Sequence, residues 1–254
     1  MKIAVWRTGH EIADRVCRSL MHSCRETDFT LTGGCLPIEE NKDILLRNDA
    51  HIGYGILRGM AEVFRNSNCW FEVDRGYFKP SHYDGYYRIS CLGTQQCFAW
   101  VEPDYERLEQ LQLDLKPWRG FDDSKPVLVI PPTEYVEKFF GIDWEFPFFK
   151  QHVLRRKGDA SPINFSDYNY VLTFNSSVGW KALQAGIPCV SDPTHSMLGS
   201  WFKNLPLDEL VEKQLQDREK LFATMAALQF TLSEIEQGMV WPLIESQIRE
   251  PRAA

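Results

Sequence analysis

The triplet Asn175-Ser176-Ser177 has the residue types and the position to bind a phosphate group. It follows the apolar run Val171–Phe174, which predicts a buried strand, and it precedes a short helix-like segment and a second apolar strand, Ile187–Val190. A helix that begins at the carboxyl end of a parallel strand directs free N–H groups and the positive end of its dipole outward. The segment therefore predicts a diphosphate site. The alternative, that the three residues only cap the helix, is also consistent with their types.

Further residues that could bind the diphosphate flank this triplet. Gly179 and Lys181 fall early in the predicted helix, where the Lys181 ammonium either reaches a phosphate or faces water. The cations Arg155-Arg156-Lys157 end a predicted strand that we expect beside the Val171–Phe174 strand, so they would project into the same site. A solvated charge run is the alternative. His195, past the second strand, is a minor candidate for a donor contact.

A general base is predicted in the first half of the chain. Asp74 directly follows the apolar strand CWFEV, which places a carboxylate at a strand's carboxyl end, where an acceptor hydroxyl could be deprotonated. A turn aspartate bonded to the backbone near Gly76 is the alternative. His10, after the first strand, and His82, in a loop rich in tyrosine, are the other candidate bases.

The molecule that carries this hydroxyl, here called the acceptor, is expected to contact the segment Asp74–Gln96 and its surroundings. Functional residues gather in loops beyond strand ends. Arginines there could bind anions, and tyrosines could stack on a sugar or a base, although they could also pin the loop to the core. The predicted acceptor-binding residues are Arg58, Arg75, Tyr77, Tyr87 and Arg88.

The elements that must position these residues alternate between strand and helix. A strand (Lys2–Trp6) and a helix (Glu11–Cys24) open the chain without a GxGxxG fingerprint, which argues against a dinucleotide oxidoreductase. The charged stretch PWRGFDDSKP is the expected linker. Beyond it VLVIPP, EYVEKFFG and QHVLRR predict a strand, a helix and a strand, and two helices (about 207–228 and 233–247) close the chain. The predicted fold class is α/β, with two Rossmann-like domains (1–120 and 121–254) facing a cleft and with C-terminal helices.

Composition limits the function classes. The 254 residues are 44% hydrophobic, which suffices for a packed core, and the formal net charge of −7 lacks the basic signature of a nucleic-acid binder. No signal peptide or membrane span is expected, so we expect a cytoplasmic protein. The seven scattered cysteines are expected to be reduced, and no metal, Walker or nucleophile-elbow motif is found.

The segment TFNSSVGWKALQAGIPCV resembles the nucleotide-sugar region of GT-B-type glycosyltransferases, in particular the capsular-polysaccharide type, in which an N-S-[ST]-x-x-x-E-A-L-x-x-G-x-P-V pattern recurs. Lys181 stands where the pattern has glutamate. The stretches YGILRG, VDRGYF with YYRI, and QFTLSEIEQGMVW look like those of bacteriophage-encoded, DNA-modifying proteins of the same kind. The resemblance implies a donor site in the C-terminal domain, an acceptor site in the N-terminal domain, and no metal.

These features together predict a glycosyltransferase that uses a nucleotide-sugar, such as a UDP-sugar, with no further cofactor. The resemblance favours a hydroxymethylated base in phage DNA as the acceptor, in the host cytoplasm, and the acidic composition opposes it. A glycan acceptor is the alternative. A non-catalytic nucleotide- or glycan-binding protein, which Lys181 favours, and a sugar-nucleotide epimerase are the other interpretations.

Overall fold

A computed structural model describes residues 2–24, 30–79, 84–91, 101–147, 151–159, 161–203 and 205–249. The fold is mixed α/β with parallel strands, as the sequence predicts at this level. The chain forms two compact units: unit 1 comprises residues 1–97 and 227–254, and unit 2 comprises residues 98–226. The sequence divides the chain near residue 120 instead. Functional domains at 1–120 and 121–254, and a cleft between them, stay predictions.

Unit 1 is built on one six-stranded sheet. Its strands are β1 (Lys2–Arg7), β2 (Thr30–Pro37), β3 (Ala50–Tyr54), β4 (Trp70–Arg75), β5 (Tyr86–Cys91) and β10 (Gln229–Thr231), in the spatial order β10-β5-β4-β3-β1-β2. The four strands β4, β3, β1 and β2 are parallel, and β5 and β10 are antiparallel to their neighbours. The side chains of β1 are buried from Ile3 to Trp6, as expected for a central parallel strand.

The helices of unit 1 are α1 (Glu11–Ser23), α2 (Met60–Arg65), α8 (Leu232–Glu236) and α9 (Trp241–Arg249). The prediction of the first helix is confirmed, and its apolar face is buried. The single helix predicted near 233–247 is wrong, because Gly238 adopts a φ of +82° and divides it into α8 and α9. Helix α8 begins with a capping box, for which Thr231 and Glu234 have the typical residue types and spacing: Thr231 accepts from the Glu234 N–H, and the Glu234 carboxylate accepts from the Thr231 N–H.

Strand β10 has no counterpart in the prediction. It is three residues long, and it pairs antiparallel with β5, so Gln229 lies opposite Arg88. The Gln229 Oε1 atom also accepts from the Phe78 N–H at 3.0 Å. Residues 229–231 therefore extend a sheet whose other five strands all lie before residue 92.

Unit 2 is built on a four-stranded parallel sheet. Its strands are β6 (Val127–Ile130), β7 (His152–Leu154), β8 (Val171–Thr173) and β9 (Cys189–Ser191), in the spatial order β7-β6-β8-β9. Its helices are α3 (Tyr105–Leu111), α4 (Glu134–Phe140), α5 (Val178–Gln184), α6 (Met197–Trp201) and α7 (Leu207–Ala227). The strand, helix and strand predicted around Asn175-Ser176-Ser177 are confirmed as β8, α5 and β9. Trp180 of α5 packs edge to face on Phe222 of α7 in the core.

A side chain of α7 hydrogen-bonds to the free backbone groups of the edge strand β9. Gln214 of α7 accepts from the Cys189 N–H at 3.1 Å through Oε1, and its amide donates to the Cys189 carbonyl. Gln214 is buried, so both of its polar atoms must be satisfied within the protein. This pairing occupies backbone groups that would otherwise be open to another strand.

The predicted linker is a packed segment of unit 2. Lys116 N–H donates to the Gln184 carbonyl at 2.9 Å, and Arg119 N–H donates to the Gly186 carbonyl at 2.8 Å. The Arg218 guanidinium donates to the carbonyls of Lys116 and Gln184 at 2.8 and 3.0 Å, and burial lowers its pKa. Backbone hydrogen bonds therefore hold this segment inside unit 2, so it is not a linker between the two compact units.

Helix α7 has 21 residues, but charged side chains interrupt its length. Within the described residues, none of the helices is long and apolar enough to cross a membrane.

Candidate functional site

The sheet of unit 2 has a topological switch point between β6 and β8. From β6 the chain passes through α4 to β7 on one side, and from β8 it passes through α5 to β9 on the other side. In open parallel sheets, ligands bind outside the carboxyl ends of the strands at such a point. The loops that meet there begin after Ile130 and Thr173, which are register partners. A hydrogen bond of 3.0 Å from Thr173 Oγ1 to the Ile130 carbonyl ties the two strand ends together.

The triplet Asn175-Ser176-Ser177 lies at this switch point, between β8 and α5, the strand and the helix that the sequence predicts around it. Ser176 Oγ accepts from the Val178 N–H at 3.2 Å, and the Ser176 N–H donates to Thr173 Oγ1 at 3.3 Å. Ser177 is the N-cap residue of α5, yet its side chain makes no capping bond. In the described part of the chain, the side chains of Asn175 and Ser177 have no hydrogen-bond partner. Capping therefore accounts for Ser176 alone.

The two candidates inside α5 occupy different environments. Gly179 is buried, and a Cβ atom there would lie 2.8 Å from Cys189 Sγ and 3.1 Å from a methyl group of Leu198. A glycine is present at this position because β9 and α6 pack too closely for a larger side chain. Lys181 is exposed.

The cationic triplet Arg155-Arg156-Lys157 follows β7, and the expectation that β7 lies beside β8 is wrong. β6 pairs with both strands and separates them, so β7 is two strand spacings, or about 10 Å, from β8. Arg155 Nη2 donates to the Ser161 carbonyl at 2.5 Å and to Ser161 Oγ at 3.0 Å. This guanidinium is therefore hydrogen-bonded within the loop that follows β7. The side chains of Arg156 and Lys157 are exposed.

His195 is held more firmly than the sequence indicates. Its Nδ1 atom lies 2.9 Å from Asp192 Oδ1, and the same oxygen accepts from the backbone N–H groups of Thr194 and His195. The imidazole ring packs on Phe140 and Phe174, with centroid distances of 4.6 and 5.3 Å. Among the described residues, none bonds to Nε2. A fixed imidazole therefore lies next to Phe174, the residue that precedes the triplet.

In unit 1, Asp74 belongs to a network of charges at the end of β4. Asp74 Oδ2 lies 3.4 Å from Arg88 Nη2, and Asp74 Oδ1 accepts from the Arg75 N–H at 2.7 Å. Arg88 also contacts Glu72 Oε2 at 3.3 Å and donates to Ser90 Oγ at 2.6 Å. The Asp74 side chain is 37% exposed, whereas those of Glu72 and Arg88 are 9% and 12% exposed. Asp74 is thus the member of the network that solvent can reach.

Burial and the neighbouring charges together shift the pKa values of Glu72 and Arg88. It raises the pKa of Glu72, which the Arg88 charge opposes and the Asp74 charge reinforces. Burial alone would lower the pKa of Arg88, but the Tyr77, Glu72 and Asp74 groups outweigh it and raise that pKa. The signal in the sequence was a glutamate inside the apolar strand CWFEV. Strand alternation puts Glu72 and Asp74 on one face.

The predicted acceptor-binding residues are partly brought together. Tyr77 lies under the Arg88 guanidinium, 5.0 Å from ring centroid to Cζ, and so joins the Asp74 network. Tyr87 is fully buried against Tyr54, so its ring is not available for stacking on a ligand. Arg75 is exposed and bonds to the Tyr54 phenol. Arg58 is exposed in the loop after β3, and His82 lies outside the described residues.

The Tyr54 phenol gives a titration that tests this arrangement. Burial, followed by the Asp74 carboxylate, raises its pKa to about 12. Because the folded value exceeds the ordinary value of 10.0, stability from this group is present below pH 10 and is lost as the pH rises through about 12. We expect Tyr54→Phe to remove a phenol that ionises near pH 12 in a spectrophotometric titration. Tyr105→Phe, on the exposed face of α3, should leave that step in place, and an unchanged titration in Tyr54→Phe would contradict the arrangement.

His10, the alternative base, is the N-cap residue of α1 and makes no capping bond through its side chain. Its Nδ1 atom is buried and has no hydrogen-bond partner in the described chain. In contrast to His195, His10 has no carboxylate among the described residues that bonds to its ring.

Two general properties complete the site chemistry. Among the described residues, no group of three histidines, cysteines or acidic residues is placed to hold a metal ion. Of the described cysteines, Cys17, Cys24, Cys69 and Cys189 are free thiols. Burial raises the pKa of the Cys189 thiol, which keeps it protonated in the core.

No protein-family model matches the chain, and neither does any curated protein sequence. Two solved structures are similar to it in fold. Thermosulfurimonas dismutans KpsC, beta Kdo 2,7 transferase, is 12% identical, and the similarity covers 97% of this chain and 100% of that chain at a TM-score of 0.46. Thermosulfurimonas dismutans KpsC, beta Kdo 2,4 transferase, is 9% identical, with 90% of each chain covered at a TM-score of 0.41.

Proposed function

We propose that this protein is a glycosyltransferase that binds the diphosphate of a nucleotide-sugar at the switch point of unit 2. The observation that carries the donor site is the pair of polar side chains, Asn175 and Ser177, that lie at this point and that capping of α5 does not use. The further step from donor binding to sugar transfer is supported by the resemblance of residues 173–190 to a nucleotide-sugar segment.

The chemistry required of the site is stabilisation of a departing diphosphate. Negative charge develops on the leaving group as the bond to the sugar breaks, and fixed donors aimed at that charge lower the barrier. In the proposal, Asn175 and Ser177 donate to the phosphate oxygens, and Lys181 supplies a nearby positive charge. Asp74 of unit 1 is the proposed base for the acceptor hydroxyl, since it is the exposed carboxylate of its network.

His195 is part of the proposed donor site. Its Nδ1 atom is engaged by Asp192, so Nε2 is the atom left to contact the donor. We expect His195→Gln to weaken the binding of a nucleoside diphosphate about 10- to 100-fold, the loss that a hydrogen bond to a charged group produces. Isothermal titration calorimetry measures the dissociation constant. His152→Gln, on the exposed edge strand β7 of the same unit, is the matched control and should bind as the unchanged protein does.

A glycan hydroxyl is the acceptor that we propose. DNA binding depends on unpaired cations that neutralise phosphates, and the chain has a formal net charge of −7. Two predicted anion-binding arginines are also engaged internally, Arg88 by Glu72 and Arg155 by Ser161. The hydroxymethylated DNA base remains the competing acceptor, and the assay below includes it.

The deciding experiment supplies purified protein with nucleotide-sugars and measures nucleotide release by chromatography. The proposal expects release only when a glycan acceptor is present. Release with hydroxymethylated DNA but not with glycans would support a transferase whose acceptor is DNA and would contradict the glycan acceptor. Binding of nucleotide without release on any acceptor would favour a non-catalytic binding protein, which the exposed Lys181, in place of the glutamate of the family pattern, favours.

A further inference from the structure

Arg7, at the end of β1, and the loop that follows it contain three buried polar atoms that have no hydrogen-bond partner among the described residues. They are Arg7 Nε, Thr8 Oγ1 and His10 Nδ1, all within four residues of each other in the sequence. Buried polar groups in folded proteins are nearly always hydrogen-bonded, so each exception calls for a reason. Three exceptions in one loop indicate that an external group completes their hydrogen bonds.

The position of this loop is that of a ligand site. β1 lies between β3 and β2, and the chain leaves β1 toward β2 and leaves β3 toward β4, on opposite sides. The carboxyl ends of β1 and β3 therefore form the switch point of the unit 1 sheet, where ligands of parallel α/β sheets bind. Arg58 lies in the loop after β3 with a φ of +54°, a backbone conformation that non-glycine residues rarely adopt.

The backbone of the β1–α1 loop is already fixed by the protein. Asp14 Oδ1 accepts from the N–H groups of Thr8 and Gly9, both at 3.2 Å. The loop is thus held without help from a ligand, and the carboxylate of Asp14 is occupied. The unsatisfied groups are side chains: a guanidinium, a hydroxyl and an imidazole.

The chemistry of these side chains selects the ligand. The Arg7 guanidinium has no carboxylate partner in the described part of unit 1, and neither has that of Arg58. A guanidinium fits the planar, anionic oxygens of a carboxylate or a phosphate, to which it donates two parallel hydrogen bonds. Thr8 Oγ1 can donate or accept, and His10 Nδ1 can do either according to its tautomer.

We propose that the β1–α1 loop binds an anionic oxygen group, a carboxylate or a phosphate, carried by the acceptor. Arg7 pairs with the anion, and Thr8 and His10 bond to its oxygens or to an adjacent hydroxyl. This inference rests on the proposed function only in naming the ligand as the acceptor. The binding of the anion itself is independent of any transfer reaction.

Binding and stability should move in opposite directions in the test variants. In Arg7→Met and Thr8→Val, an unpartnered polar atom is replaced by an apolar one, so the free protein should be at least as stable as the unchanged protein. Binding of glucuronate or inorganic phosphate, followed by calorimetry without donor, should weaken at least tenfold in Arg7→Met. Arg18→Met, an exposed arginine of α1, is the matched control and should bind normally.

The two arms separate the sources of the anion. Glucuronate binding without phosphate binding assigns a carboxylate, and the converse assigns a phosphate; either supports the site. Equal binding of glucose and glucuronate would overturn it, as would anion binding that Arg7→Met leaves unchanged. If Arg7→Met abolishes anion binding but the unchanged protein transfers sugar to no acceptor, the anion site is supported and the proposed function is contradicted. If Arg7→Met transfers sugar at an unaltered rate but only to neutral acceptors, the proposed function is supported and the anion site is contradicted.

Discussion

Arg88→Met is expected to lower the free energy of unfolding by about 3–5 kcal/mol, the cost of breaking a buried ion pair by removing one partner. The substitution leaves the carboxylate of Glu72, which is 9% exposed, without its counter-ion and takes a donor from Ser90. Urea denaturation followed by circular dichroism measures the change.

The loss should depend on pH in a defined direction. Burial raises the pKa of Glu72 above its ordinary value of 4.5, so the folded protein holds this proton more tightly than the unfolded chain does. Stability from the protonated group is therefore present below pH 4.5 and is lost as the pH rises through the folded pKa. Without Arg88 that pKa rises further, and the difference between Arg88→Met and the unchanged protein should be smaller at pH 5 than at pH 8.

Two controls isolate the buried charge. The double variant Glu72→Leu with Arg88→Met removes both charges and should recover most of the lost stability, because apolar replacements of a buried pair are often neutral. Lys42→Met breaks an exposed pair with Glu62 in the same unit and should cost less than about 1 kcal/mol. A double variant as unstable as Arg88→Met alone would mean that packing, and not charge, sets the loss.

Gly186→Ala is expected to destabilise unit 2 by about 3 kcal/mol, from backbone strain together with a steric clash. Gly186 has a φ of +81°, and a Cβ atom would lie 2.0 Å from the Pro117 carbonyl oxygen. The segment around Pro117 would have to move away and strain the hydrogen bonds from Lys116 to Gln184 and from Arg119 to Gly186. Thermal unfolding should show the lowered midpoint.

Gly141→Ala separates the two parts of this cost. Gly141 has a φ of +66°, and nothing lies within 4 Å of the position of its Cβ, so only the backbone conformation is penalised, by about 1 kcal/mol. Equal losses in the two variants would show that the contact with Pro117 is unimportant and that the 113–120 segment is held elsewhere.

Local patterns in the sequence sufficed for β1, β4 and the four strands of unit 2, but not for the parallel strands β2 and β3. The apolar run before Asn175 and the run VLVIPP each produced a buried strand where expected, because a parallel strand buried on both faces is apolar throughout. The order of strands in space could not be obtained in this way. Nothing in QHVLRR distinguishes a strand next to β8 from one beyond β6, and the three residues of β10 are too few to give a period.

The candidate site follows the same division. Its loop residues could be predicted, since small polar residues after a strand are a local signal. The sequence could not show which of these side chains already make hydrogen bonds or packing contacts within the protein. Only the hydrogen bonds separate Ser176, which caps α5, from Asn175 and Ser177, and only packing reveals that Tyr87 is buried and that Gly179 faces Cys189.

Unit 1 is assembled from two stretches of chain, and all of unit 2 is encoded between them. During synthesis, residues 98–226 therefore leave the ribosome before β10 exists. Until then β5 is an open sheet edge, and α1 lacks the contact with α8 that Ser19 and Glu236 make at 2.9 Å. Domains tend to fold as they emerge, so unit 2 is free to fold first while unit 1 must wait for its last residues. Strands β1 to β5, which are made before unit 2, are thus among the last elements to reach their final structure.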